Sequence, residues 1–266
     1  MNIIFFDIDG TIDDEHGRVP ESAVFAVRRA AERGAVCAIN SGRPFSHIVP
    51  QVRDIGFSAF VCSIGQHIVL DGKCVQRLRP TAEQAKRVAA LARECRLDAY
   101  YESEEGLCLD VCHPIGDGML RQLAEFEERG LSVLRSFPEE GYRFDKFCVW
   151  SKEDSSPQAF FSAVDGLFYP IHRGGGMTEM VLCGCSKASG MAILKRELAA
   201  LRGIDESAVV TFAIGDSPND ETMLRAADHP IVMGGSDPKV AALAEFVTDT
   251  LWNDGLYKAL DHYGLI

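Results

Sequence analysis

Apolar residues follow two rhythms along the chain. Through roughly the first eighty positions, short unbroken apolar runs alternate with stretches whose apolar residues recur every three or four places. The run "NIIFF" shows no polar side, as expected of a strand buried on both faces of a parallel sheet. "PESAVFAVRRAAERG" follows with helical spacing, Pro20 near its start and Gly34 as its stop. "AVCAIN" predicts the next strand, "FSHIVPQVRDIG" a helix broken near Pro50, and "SAFVCSI" a third strand. This alternation implies a right-handed, doubly wound parallel sheet. "HIVLDGKCVQ" sets Asp71-Gly72 between two alternating runs, a short-hairpin signal.

From Thr81 the rhythm changes. "TAEQAKRVAALAREC" predicts a helix, then "LDAYYES" and "GLCLDVC" two alternating strands. "DGMLRQLAEFEERG" and "SSPQAFFSAV" predict further helices, separated by the strand "FDKFCVW" and followed by the strands "GLFYPIHR" and "MTEMVLC". Helix, strand, strand in succession describes an α+β domain with an antiparallel sheet, inserted into the first domain. After Ser186 the α/β rhythm returns: helix "KASGMAILKRELAALRG", strand "AVVTFAIG", helix "SPNDETMLRAAD" and strand "HPIVMG", with "DPKVAALA", "EFVTD" and "GLYKALDHYG" completing the covering. The expected fold is therefore an α/β core of residues 1–80 and 184–266 carrying an α+β insertion over 81–183.

Length and charge narrow the function classes. The 266 residues suffice for one large domain or two modest ones, and a 47% hydrophobic, 25% charged composition is that of a globular protein. A formal net charge of −12 speaks against binding nucleic acid through its backbone. An anionic small substrate stays compatible, because a bound cation can reverse the field of one pocket. The nine cysteines lack a repeating spacing and many lie in apolar runs (Cys37, Cys62, Cys148), which reads as buried free thiols of a reducing compartment. "CLDVCH" (Cys108, Cys112, His113) and "CGC" (Cys183, Cys185) lack the paired spacing of zinc ligands. No basic segment leads into a long apolar stretch and no window reaches bilayer length, so a cytoplasmic protein with no membrane partner is expected.

Chemistry enters where the strands end. "FFDIDGT" closes the first strand with Asp7 and Asp9, then turns on Gly10 and Thr11. Ser41 and Gly42 follow the second strand, and "GDSPND" (Asp216, Asn219, Asp220) follows the late one. Parallel sheets bind ligands at this edge, near the switch in strand order. Acidic groups converging there call for a hard cation such as Mg²⁺, which shares oxygens with phosphate. Alternation along a strand gives Asp7 and Asp9 different surroundings. One carboxylate can then attack phosphorus while the other shuttles protons. Ser41 Oγ, the amides around Gly10, Thr11 and Gly42, and Lys187 at the start of the returning helix supply groups for a phosphoryl anion.

"DIDGT", "NSGR", "SKASGM" and "GDSPND" resemble, in order, the four motifs of the haloacid dehalogenase superfamily. The insertion between the second and third motifs resembles a C2B-type cap, and "MGGSDPKVAALAEFVTDTLWNDGLYKAL" the ending of the Cof-like phosphatases. The resemblance implies a Mg²⁺-dependent phosphatase of small phosphorylated metabolites, sugar phosphates first, working through an aspartyl-phosphate. In it Asp7 is the nucleophile, Asp9 the general acid/base and, through its backbone carbonyl, a metal ligand; Asp216 is the third ligand. Ser41, Gly42 and Lys187 bind the phosphoryl group, Asn219 orients it, and Asp220 supports the metal or the lysine. Many relatives carry Asn-Gly-Ala after the third strand, where this chain reads "SIGQH" with Ile64 and Gln66. A mutase of the same fold and a non-catalytic phosphate-binding protein are the rival functions, and a monomer is plausible.

Other residues have plainer readings. Arg43 either touches substrate or holds its loop by a salt bridge, and His47 reads as a surface or helix-face residue. Gly174 to Gly176 form a flexible specificity loop or a hairpin turn. Tyr100, Tyr101, His113, Arg143, His172 and Arg173 are candidate substrate contacts that individually read as structural.

Overall fold

The computed structural model describes every residue except 15, 104–105, 111–113, 129, 132, 135–136 and 139–141. Cys112 and His113 lie outside the described residues. The chain opens with β1 (Asn2–Phe6), α1 (Glu21–Glu32), β2 (Val36–Asn40), α2 (Pro50–Arg53), β3 (Ala59–Cys62), β4 (His67–Leu70) and β5 (Lys73–Arg77). It continues with α3 (Ala82–Glu94), β6 (Asp98–Ser103), β7 (Gly106–Asp110), α4 (Asp117–Glu128), β8 (Val133–Leu134), β9 (Lys146–Trp150), α5 (Pro157–Val164), β10 (Phe168–Gly174) and β11 (Met177–Leu182). It ends with α6 (Lys187–Arg202), β12 (Val210–Gly215), α7 (Glu221–Ala226), β13 (His229–Val232), α8 (Pro238–Ala241), β14 (Phe246–Val247) and α9 (Gly255–His262). These elements sort into two compact units.

The first unit comprises Met1–Arg43, Ile48–Gln76 and Ser186–Ile266. Its sheet runs β14-β13-β12-β1-β2-β3-β4-β5, so strand order reverses at β1. β1 lies parallel to both β12 and β2, with Phe6 opposite Ile214 and Ile39. Ile3, Ile4, Phe5 and Phe6 are fully buried, as an unbroken apolar run requires. Ile3 and Phe5 pack with Val61, Ile68, Leu194 and Leu198, each such side chain contributing about 1.5–3 kcal/mol by leaving water. The Asp71-Gly72 signal appears as a two-residue turn between β4 and β5, both residues at positive φ. The segment around Pro50 holds the short α2, with Pro50 at its first turn, where a missing N–H costs nothing.

The second unit comprises Pro44–His47 and Arg77–Cys185. Its sheet runs β10-β11-β9-β6-β7-β8, antiparallel except that β8 lies parallel to β7. Alternation along β6 and β9 sends side chains to opposite faces. Tyr101 and Phe147 join Phe160 and Phe168 on one face, while Tyr100 and Trp150 meet Met119, Leu123 and Phe126 of α4 on the other. Tyr100 and Tyr101 are thus core residues. Lys146 Nζ bridges Glu102 and Glu179 in a buried ionic row across three neighbouring strands, and Arg173, exposed on the fourth, also grips Glu179. Asp145, fully buried, accepts from Arg77 Nε at 3.0 Å and Arg79 Nε at 2.7 Å.

Several minor readings meet their places here. His47 is buried in a short 3₁₀ turn, Nδ1 lying 3.8 Å from Glu102 Oε1, and is not a surface residue. His172 pairs with Thr178 and Arg143 is exposed. β10 runs through Gly174, leaving only Gly175 and Gly176 to turn the hairpin. All described cysteines are free, with Cys74 and Cys183 exposed. No helix among the described residues is long and apolar enough to cross a membrane.

Candidate active site

Because β1, β2, β3 and β12 are mutually parallel, their C-terminal ends share one sheet edge. Asp7 follows β1 there, and its amide extends the ladder by donating to Ile214 O at 3.0 Å. The chain then folds tightly on itself: Ile8 O accepts from the amides of Thr11, Ile12 and Asp13, and Gly10 N donates to Asp13 O at 2.8 Å. The amides of Gly10 and Thr11, expected from the sequence to face a phosphoryl anion, are therefore spent within the turn. Gly10 has φ +77°, and a Cβ there would collide with the Asp216 carboxylate, so this glycine admits Asp216 to the edge.

Lys187 occupies the middle of the cluster. Its Nζ donates to Asp7 Oδ1 and to Asp220 Oδ1, both at 2.6 Å, and all three side chains are buried. Lys187 is the first residue of α6, whose capping box joins Ser186 and Ser189. Asn40 Nδ2 donates to Lys187 O at 3.1 Å, pinning the same backbone from the end of β2. Asp220 Oδ2 accepts from the amides of Asp216 and Ser217 at 3.0 and 3.1 Å. Both Asp220 oxygens are thus engaged. That inward fold replaces the expected helix start with a 3₁₀ turn at Pro218–Asp220, and α7 begins only at Glu221.

Ser41 is buried behind β2, its amide donating to Val61 O at 2.9 Å, and its Oγ accepts from Arg43 N at 3.2 Å. Gly42 is half-buried between them. Asn219 is half-buried and accepts from Ser217 Oγ at 2.8 Å. Asp9 departs from its neighbours: its side chain is 58% exposed and both its oxygens accept from the Arg43 guanidinium. The segment after β3 locks onto Ser41 and Arg43, with Ile64 N donating to Ser41 O and Ser63 N to Arg43 O. Ser63 and Ile64 hold φ of 50° and 56°, a conformation Asn adopts readily and a β-branched residue rarely does. Gly65, the residue shared with Asn-Gly-Ala, has φ +83° and sits where a Cβ would lie 2.3 Å from Ser186 O. Asn40 and Gly65 went unassigned in the sequence; a buried asparagine closing an apolar strand is the signal that could have found the first.

Burial first, then the Asp220 and Asp9 charges, raises the Asp7 carboxyl to about 8 against the pull of Lys187. Burial and Asp220 likewise raise Asp216 to about 7. Burial would lower Lys187, but Asp220 and Asp7 outweigh it and hold the ammonium charged. Asp7 Oδ2 and Asp216 Oδ1 are buried without a hydrogen-bond partner. Oxygens of Asp7, Asp216 and Asp220 lie within 4.8 Å of one another, so the donor set suits a hard divalent cation. The second acidic group, Glu102 with Glu179 and Cys148, is different, because Lys146 already bridges both carboxylates and Arg173 pairs with Glu179.

The raised pKa values fix a sign. Folded Asp7 and Asp216 hold protons that the unfolded chain has released, so metal-free stability falls as pH rises from about 4 to about 8. Melting in EDTA should show Tm declining across that window, with Glu102, raised to about 7, adding to the slope. Saturating Mg²⁺ should flatten the decline by taking the place of the protons. A Tm that rises with pH in EDTA would contradict this electrostatic picture.

The sequence profile of haloacid dehalogenase-like hydrolases matches residues 4–260. The 5-amino-6-(5-phospho-D-ribitylamino)uracil phosphatase YbjI of Escherichia coli K12 is 26% identical over 269 residues, covering 98% of this chain and 95% of its own. Among solved structures, the phosphatase BT1666 of Bacteroides thetaiotaomicron superposes with a TM-score of 0.81 at 25% identity, covering 100% of this chain and 96% of its own. The subclass IIB sugar phosphatase BT4131 shares the fold, with a TM-score of 0.80 at 21% identity and full coverage of both chains.

Proposed function

Since the chain belongs to the haloacid dehalogenase-like hydrolases and is a phosphatase of that family, we propose that it hydrolyses small phosphorylated metabolites, sugar phosphates first, through an aspartyl-phosphate on Asp7. One observation carries this reading: a buried lysine joins Asp7 to Asp220, while a free oxygen remains on Asp7 and on Asp216. Asp7 Oδ1 is held by Lys187, which leaves Oδ2 to attack phosphorus. Lys187 and Ser41 neutralise and orient the transferring group, and Asn219 borders it. Asp220, with both oxygens committed, supports the lysine and the Asp216 loop. Asp9 gives a proton to the leaving alcohol and later takes one from water.

Asp7, Asp216 and the Asp9 carbonyl would hold Mg²⁺, which when bound offsets the acidic cluster and the phosphate charge. The ribityl phosphate of YbjI's substrate is a polyol phosphate, in keeping with sugar-phosphate-sized leaving groups. Residues 81–183 supply the cap that selects among them. Phosphate release from a panel of phosphorylated metabolites, with Mg²⁺ or EDTA, tests the reading. Turnover should need the metal and nearly vanish in Asp7→Asn. An Asp7→Asn protein with wild-type turnover would refute it.

A further inference from the structure

Arg43 touches three strand-end loops at once. Its guanidinium grips both oxygens of Asp9, and Nη1 lies 3.4 Å from Asp13 Oδ2, a buried carboxylate in the same turn. Its amide donates to Ser41 Oγ, and its carbonyl accepts from Ser63 N at 3.0 Å. The arginine side chain is only 13% exposed although the Asp9 it holds is 58% exposed. A surface carboxylate ordinarily samples several rotamers, whereas a guanidinium fork binding both oxygens permits one. Arg43 is itself fixed at both backbone ends, so the orientation of Asp9 is set by the scaffold.

We infer that Arg43 is the positioning residue that presents Asp9 to water in the second half of the reaction, an inference that rests on the aspartyl-phosphate reading above. In that half-reaction a water oxygen bonds to phosphorus and one water proton passes to Asp9. The bond from phosphorus to the Asp7 oxygen breaks, its electron pair returns to the Asp7 carboxylate, and phosphate departs. Asp9 held by Arg43 accepts on both oxygens, so its carboxylate keeps one orientation toward that water. The first half-reaction with a dinitrophenyl leaving group needs no proton donor and is indifferent to where Asp9 points.

Radiolabelled dinitrophenyl phosphate therefore tests the assignment. In Arg43→Ala, kcat should fall about 10²-fold, the lower range of a positioned proton acceptor's contribution, with KM falling in parallel. Then kcat/KM stays near wild type, and acid quenching traps labelled phosphoenzyme that the wild type does not accumulate. Arg43→Lys keeps the charge without the two-oxygen grip, and should recover only a small part of kcat. It also serves as the test protein if the alanine variant fails to fold. A loss shared equally by kcat and kcat/KM, or full rescue by lysine, would overturn the inference and leave Arg43 as a loop brace. Asp7→Asn in the same quench should carry no label. A labelled Asp7→Asn protein would sink the aspartyl-phosphate reading and this inference with it, whereas an unlabelled one beside an unchanged Arg43→Ala partition sinks the inference alone.

Discussion

Lys187→Met should damage stability and turnover together. Above about pH 8, where Asp7 is ionised, it leaves the buried carboxylates of Asp7 and Asp220 facing each other without the ammonium now 2.6 Å from each. Removing one partner of a buried ionic group costs about 3–5 kcal/mol, because the remaining charge cannot recover its hydration. The metal-free variant should lose stability on that scale in a denaturant titration. Turnover should also fall by about 10²–10³-fold, as when one preorganised electrostatic donor is withdrawn from a transition state. The two losses are separable, since Mg²⁺ can relieve the repulsion but cannot restore the missing donor. Recovery of stability with Mg²⁺, without recovery of kcat, is the expected pattern. A variant as stable as wild type in EDTA would show that the trio is not under electrostatic tension.

Gly65→Ala should produce a comparable kinetic defect without touching a charged group. A Cβ at position 65 would lie 2.3 Å from the carbonyl oxygen of Ser186, and backbone cannot swing aside as a side-chain tip can. The first turn of α6 must therefore shift, and Lys187 moves with it. A displacement of about an ångström in a catalytic constellation costs about 10²-fold, and crowding of this kind costs about 1–3 kcal/mol in stability. Gly72→Ala is the control: φ is +72°, but nothing lies within 4 Å of the added methyl. It should pay the left-handed backbone strain alone and leave kcat unchanged. Equal kinetic effects at the two glycines would refute the steric argument.

What could be read from the sequence follows a physical divide. β1, with the unbroken apolar run Ile3 to Phe6, and the Asp71-Gly72 turn, with its demand for positive φ, carry their structure in local chemistry. The acidic residues after β1 and β12 were legible for the same reason, since charges ending buried strands need a purpose. What escaped notice depends on tertiary proximity. Asn40 matters because α6 passes beside it, and Gly65 because Ser186 does, whereas the salt bridge expected of Arg43 is present, to two aspartates of another loop. The two-residue β8 is too short to print a pattern. In the second unit, Glu102, Lys146 and Glu179 sit at ordinary alternating positions, and only the folded sheet shows that the lysine bridges both carboxylates out of water.

The split of the first unit along the chain has a consequence for its birth on the ribosome. β1 emerges early with one flank waiting for β12, and Asp7 waits for a lysine 180 positions later. The second unit, nearly one continuous stretch, draws on nearby segments and can condense while the nascent chain is still growing. Until β12 is synthesised, β1 is an apolar strand with one edge unpaired and open to mispairing. The trio of Asp7, Lys187 and Asp220 is consequently a late acquisition, since a chain that ends before Asp220 lacks one or both of the partners of Asp7.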